Sequence, residues 1–133
     1  MKVRADFVTN SSSSSFIVAK HKDCTRDEVE AILNSHKEDI LFLLHDYEGH
    51  VDCDYMSTIK EYYDKEEFDK AVDLAIECLT NDLMNAGYNS MTLDNWTVSS
   101  EYASNEDAIL LAGALYEFGW DMDTEHLRTM RGE

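Results

Sequence analysis

Residues 68–83 read FDKAVDLAIECLTNDL and show the clearest helical pattern of the chain. The apolar residues of this stretch recur every three to four positions, so they fall on one face of an α-helix. We expect Asp64 to cap the start of the helix, and we expect its end near Gly87, because glycine accommodates the left-handed turn that often terminates a helix. The opposite face carries an acidic row, called the acidic face below: Glu66, Asp69, Asp73 and Glu77.

Shorter patterns on both sides of this stretch predict an α and β protein. Thr25 to Glu28 match a capping box at the start of a first helix, and residues 105–118 predict a last helix that is apolar on nearly all sides. Strands are predicted at 15–19, 40–44, 96–102 and 127–130. We expect an α/β or α+β fold: a small mixed sheet of three to four strands, covered by three or more helices.

The charge of the chain is unusual for its size. Its 133 residues fit one domain, with residues 1–15 a distinct N-terminal segment, and 28 acidic against 11 basic residues give a net charge of −17. Solubility of a small domain requires only about 2–8 charges. This excess opposes direct binding to nucleic acid or to an anionic membrane, and it permits metal cations and basic proteins as partners.

Cysteine usage and hydropathy favour a cytoplasmic protein. The three cysteines are odd in number and widely spaced, which is typical of reduced thiols. No apolar run approaches the roughly 20 residues of a membrane span, and a serine run stands where a signal peptide would need its apolar stretch. No nucleophile motif, phosphate loop or dinucleotide fingerprint is present, so the sequence does not favour an enzyme.

The loop that follows residue 44 is a weak candidate for a metal site. Histidine nitrogens and carboxylate oxygens are common ligands of divalent metals, and four such residues stand close together in the sequence: His45, Asp46, His50 and Asp52. Their spacing fits neither a zinc motif nor an EF-hand. An ordinary exposed turn explains the same composition, and no cofactor is otherwise expected.

The N-terminal segment carries a run of five serines, from Ser11 to Ser15. Their hydroxyl and amide groups could bind an anion or accept phosphate, although serine runs are more often linkers. The whole stretch from Asp6 to Ile17, DFVTNSSSSSFI, resembles the opening of many uncharacterised small proteins of Gram-positive anaerobic bacteria and their phages. The resemblance implies a bacterial or phage origin and carries over no catalytic residue.

Three functional hypotheses follow. The first is an acidic protein that binds a basic partner through the acidic face, in its sharpest form a nucleic-acid mimic like the phage counter-defence proteins of anti-CRISPR type. The second is a metal-binding protein or metal-dependent enzyme that uses the 45–54 loop. The third is a small regulatory or structural protein whose charge only keeps it in solution. A homodimer is a further option if Leu110, Leu111 or Phe118 of the apolar helix forms an interface rather than core.

Overall fold

The structure, a computed structural model, describes residues 14–85, 91–103 and 110–132. Five helices and four strands lie in these ranges, together with a 3₁₀ turn at Gly119–Asp121. In chain order they are β1 (Ser14–His21), α1 (Arg26–Asn34), α2 (Lys37–Asp46), α3 (Met56–Asp64), α4 (Phe68–Met84), β2 (Met91–Leu93), β3 (Trp96–Ala103), α5 (Leu110–Phe118) and β4 (Leu127–Gly132).

The strands form one sheet in the order β2-β3-β1-β4. All three pairings are antiparallel, so the sheet is not mixed, but the predicted α+β class and the predicted numbers of strands and helices are confirmed. Val18 of β1 lies opposite Ser99 of β3, and both side chains are buried. The alternate positions face outward, where Met91, Leu93 and Met130 are each more than 60% exposed.

Helix α2 corrects the strand predicted at 40–44. Ile40, Leu43 and Leu44 are fully buried, whereas Phe42 is 38% exposed. This is the three-to-four-residue spacing of a helix face, which an unbroken apolar run conceals. At the helix start, the ring nitrogen Nδ1 of His36 lies 2.9 Å from a carboxylate oxygen of Asp39. None of the described helices is long and apolar enough to cross a membrane.

Helix α4 confirms the long predicted helix but not its predicted boundaries. Asp64 is the last residue of α3, a helix that the sequence did not predict, and it pairs with Lys60 there instead of capping α4. The chain then turns at Glu66, whose backbone φ of 60° lies in the left-handed region. Helix α4 begins two residues later, at Phe68. Its last residue is Met84, and Gly87 lies outside the described residues.

Helix α5 belongs to the core. Leu110, Leu111 and Phe118 are at most 6% exposed, so the dimer interface considered for them is wrong and the core alternative holds. The helix approaches α2 closely at Gly113, where an added Cβ atom would lie 3.1 Å from a methyl carbon of Leu43. Its predicted start, residues 105–109, lies outside the described ranges.

Candidate functional site

The acidic face lies in the open on one side of α4. All four of its carboxylates are exposed, although Glu66 stands in the turn before the helix rather than on it. Asp69, Asp73 and Glu77 follow one another at intervals of four residues, or about 6 Å along the helix axis. The face is therefore a continuous row of carboxylates.

Neighbouring lysines neutralise only part of this row. Lys37 of α2 lies 3.5 Å from Asp73, and these two residues help to line a groove of about 410 Å³ between α2 and α4. Lys70, which interrupts the row in the sequence, is directed to Glu67 at 3.3 Å and lies over the ring of Tyr62. Lys70 is thus engaged away from Asp69 and Asp73.

The C-terminal half of α4 extends the row into an acidic corner, formed by Asp54, Glu77 and Asp82. The charge of Glu77, together with a hydrogen bond to it, raises the pKa of the Tyr55 phenol. Partial burial and then the charge of Asp54 raise the pKa of Asp82. Within the described ranges, no lysine or arginine forms an ion pair with these three carboxylates. Among the side chains that the structure describes, the acidic corner therefore has no compensating lysine or arginine.

Two thiols lie beneath the acidic corner. Cys78 of α4 donates a hydrogen bond to Cys53 of the preceding loop, with 3.1 Å between the sulfur atoms. This bond lowers the pKa of Cys53 and raises that of Cys78. All three cysteines are free in this structure.

The four residues of the predicted metal loop are divided between two places. His45 binds the Tyr63 hydroxyl through Nδ1 at 2.9 Å and packs against Phe68. His50 and Asp52 line a separate groove, and Asp46 is the last residue of α2. Among the described residues, three metal-ligating side chains converge only elsewhere in the fold, so the predicted grouping is corrected.

The serine run is only partly described. Ser11, Ser12 and Ser13 lie outside the described residues. Ser14 and Ser15 belong to β1, where their backbones pair with Ala103 and Tyr102 of β3. These two serines are therefore strand residues rather than parts of a loop.

A histidine cluster, His21, Asp23 and His126, is the convergent group that the sequence did not indicate. These three residues offer ligand atoms that all lie within 4.8 Å of one another. The backbone N–H of His21 donates to the carbonyl of His126 at 2.9 Å, and the two ring centroids lie 5.2 Å apart. The ring of Trp96 packs edge-on against His21 at 5.1 Å.

Glu28 of α1 fixes one side of this cluster. Its carboxylate accepts hydrogen bonds from Nδ1 of His126 at 2.8 Å, from the His126 backbone N–H at 2.9 Å and from the Thr124 hydroxyl. The hydrogen bonds of Thr124 and His126 lower the pKa of Glu28 to about 2. The bond to Glu28 raises the pKa of His126. The predicted capping box is thus half formed: Thr25 accepts from the Glu28 N–H, while the glutamate side chain binds Thr124 and His126, which precede β4.

Comparison with known proteins assigns neither a family nor a function to this chain. No protein-family model, no curated protein and no solved structure matches this chain.

Proposed function

We propose that this chain is a binding protein, not an enzyme, and that its acidic face and acidic corner dock on a basic surface of another protein. The observation that carries the proposal is the row of exposed carboxylates along α4, in which the described lysines pair only with Asp73. The charge of Glu77 and a hydrogen bond to it raise the pKa of Tyr55, and burial followed by the charge of Asp54 raises the pKa of Asp82. Among the described side chains, no lysine or arginine forms an ion pair with these carboxylates. Such a potential attracts a positively charged partner and accelerates its association at low salt.

The geometry favours a partner that itself binds nucleic acid. The carboxylates are spaced about 6 Å apart along one helix face, which is of the same order as the spacing of phosphates along a nucleic-acid strand. A rigid helix presents them without an ordering cost on binding. The chain would then occupy the basic channel of its partner in the cytoplasm, as the bacterial or phage resemblance of its opening segment also suggests.

The test compares two variants of equal net charge. The face variant carries Glu66→Gln, Asp69→Asn, Asp73→Asn and Glu77→Gln. The control variant neutralises four carboxylates elsewhere: Asp27→Asn, Glu30→Gln, Glu61→Gln and Glu125→Gln. Each immobilised protein is exposed to a nuclease-treated bacterial lysate at low and at high salt.

We expect the wild type and the control variant to retain a nucleic-acid-binding protein that the face variant does not retain. Added DNA or RNA should release this protein from the wild type. Equal retention by both variants would refute the role of the acidic face. Retention that nucleic acid does not reverse would refute the mimicry. If no protein is retained at low salt, the result supports the third hypothesis, in which the charge only maintains solubility.

A further inference from the structure

The geometry points to a divalent transition-metal site at the histidine cluster, independent of the acidic face. The cluster lies at the ends of two neighbouring strands, β1 and β4. Since the backbones of His21 and His126 are hydrogen-bonded at 2.9 Å, the sheet itself holds the two imidazoles side by side. Asp23 follows in the turn after β1 and adds a carboxylate. Two imidazoles and one carboxylate form a ligand set typical of Zn²⁺ and related ions.

Glu28 gives His126 the tautomer that a metal requires. A carboxylate can only accept, so the 2.8 Å contact with Oε1 places a proton on Nδ1 of His126. In the neutral ring, Nε2 then carries the free electron pair. A histidine ligand whose second nitrogen donates to a carboxylate is the usual arrangement around protein-bound zinc. Glu28 is thus a positioning residue, because its contact with the metal would pass through His126.

His21 offers its electron pair at Nδ1. The backbone N–H of Asp23 donates to this atom at 3.0 Å, so Nδ1 is unprotonated in the neutral ring. The Oδ2 atom of Asp23 lies 3.7 Å from the same nitrogen. Ligand atoms of a tetrahedral zinc ion with bonds of about 2.0–2.2 Å lie about 3.3–3.6 Å apart. A small rotation of Asp23 therefore brings its carboxylate to ligand distance from Nδ1 of His21, and the exposed N–H of Asp23 then binds water instead of the ring. The ligand atom of His126 lies within 4.8 Å of both, so binding of an ion requires a modest further approach of the two strand ends.

The exposure of the site agrees with an ion that keeps water. The side chains of His21 and His126 are 18% and 25% exposed, while that of Asp23 is 65% exposed. Three protein ligands leave one position of a tetrahedral ion to solvent, which is the arrangement of open rather than structural zinc sites.

The experiment is a calorimetric titration with ZnCl₂ of protein freed of metal by chelation. Excess Mg²⁺ is present to occupy the carboxylates of the acidic face. We expect one Zn²⁺ per chain in the wild type. His21→Gln and His126→Gln should each weaken the affinity at least about 100-fold, and Glu28→Gln about 10- to 100-fold. His36→Gln is the matched control, because His36 also pairs with a carboxylate, at 2.9 Å, but lies outside the cluster; it should bind as the wild type does.

A second readout locates the ion in the folded wild type and needs no variant. Paramagnetic Co²⁺ should broaden the NMR signals of residues 20–28 and 124–128 before those of α4. Unchanged zinc affinity in both His21→Gln and His126→Gln would overturn the site. Broadening that begins on α4 would also overturn it, since the ions would then be held by scattered carboxylates.

Discussion

Replacement of Glu28 by glutamine should destabilise the fold in a pH-dependent way. The carboxylate links α1 to the segment that precedes β4 through three hydrogen bonds, two of them from His126. The fall of its pKa from 4.5 to about 2 corresponds to about 3 kcal/mol at neutral pH. The side chain is 21% exposed, and solvent screens the interaction, so we expect a loss of about 1–2 kcal/mol.

The pKa shifts of Glu28 and His126 together determine how the stability of the fold depends on pH. The pKa of Glu28 is lower in the folded state, so its stabilisation is complete above about pH 4.5 and is lost as the pH falls toward 2. The pKa of His126 is raised in the folded state, so its contribution is complete below about 6.5 and is lost as the pH rises through the folded value. The pair therefore stabilises most at about pH 5–6.

Urea unfolding at about pH 6 and about pH 2.5, in the presence of a chelator, measures this difference. Glu28→Gln should be less stable than the wild type at the higher pH, and this difference should shrink to about a quarter at the lower. Glu30→Gln is the control: it lies on the same helix and has only a 3.9 Å contact with Arg26. A loss of the same size at both pH values, or an equal loss in the control, would refute the electrostatic explanation.

Three further predictions concern single contacts. Thr25→Ala removes the acceptor of the Glu28 N–H and should cost about 1 kcal/mol in urea unfolding; Thr25→Ser should restore most of it, and equal values for the two would contradict the cap. Glu77→Gln should lower the pKa of Tyr55 toward its ordinary value of 10, seen by ultraviolet titration as a difference from the wild type; identical titrations would show that Glu77 exerts no field. Hydrogen peroxide should convert the thiols of Cys53 and Cys78, 3.1 Å apart, into an intramolecular disulfide and water. Cys24 should remain free; Cys53→Ser should block the reaction, and three free thiols after oxidation would contradict the pairing.

The sequence predicted the elements whose periodicity is local. The apolar spacing of 68–83 marks α4, and the oxygen of Thr25 caps α1 as expected. The run 40–44 was misread because five consecutive apolar residues show no period; the surrounding ten residues, 37–46, would have favoured a helix by length. Helix α3 buries Ile59 fully and packs Tyr62 and Tyr63 partly against the core, an amphipathic pattern that the sequence analysis overlooked.

Whether a candidate site could be predicted also depended on whether its residues lie close together in the sequence. The acidic face could be predicted because its residues lie within one stretch of helix. The histidine cluster could not be predicted, because His21 and His126 lie near opposite ends of the sequence and the pairing of β1 with β4 brings them together. The metal loop was predicted from proximity in sequence, yet His45 binds the Tyr63 hydroxyl while His50 and Asp52 line a separate groove together with residues of α3.

The salt dependence of partner binding tests the central claim most directly. It is measured as the dissociation constant of the partner retained from lysate, for the wild type, the face variant and the control variant. The affinity of the wild type should fall steeply with salt. The face variant loses four carboxylates, and each exposed ion pair contributes about 0.2–1 kcal/mol, so it should bind roughly 4- to 900-fold more weakly at low salt. Its salt dependence should also be flatter. The control variant should follow the wild type. Equal affinities and parallel salt dependences for all three proteins would contradict the account.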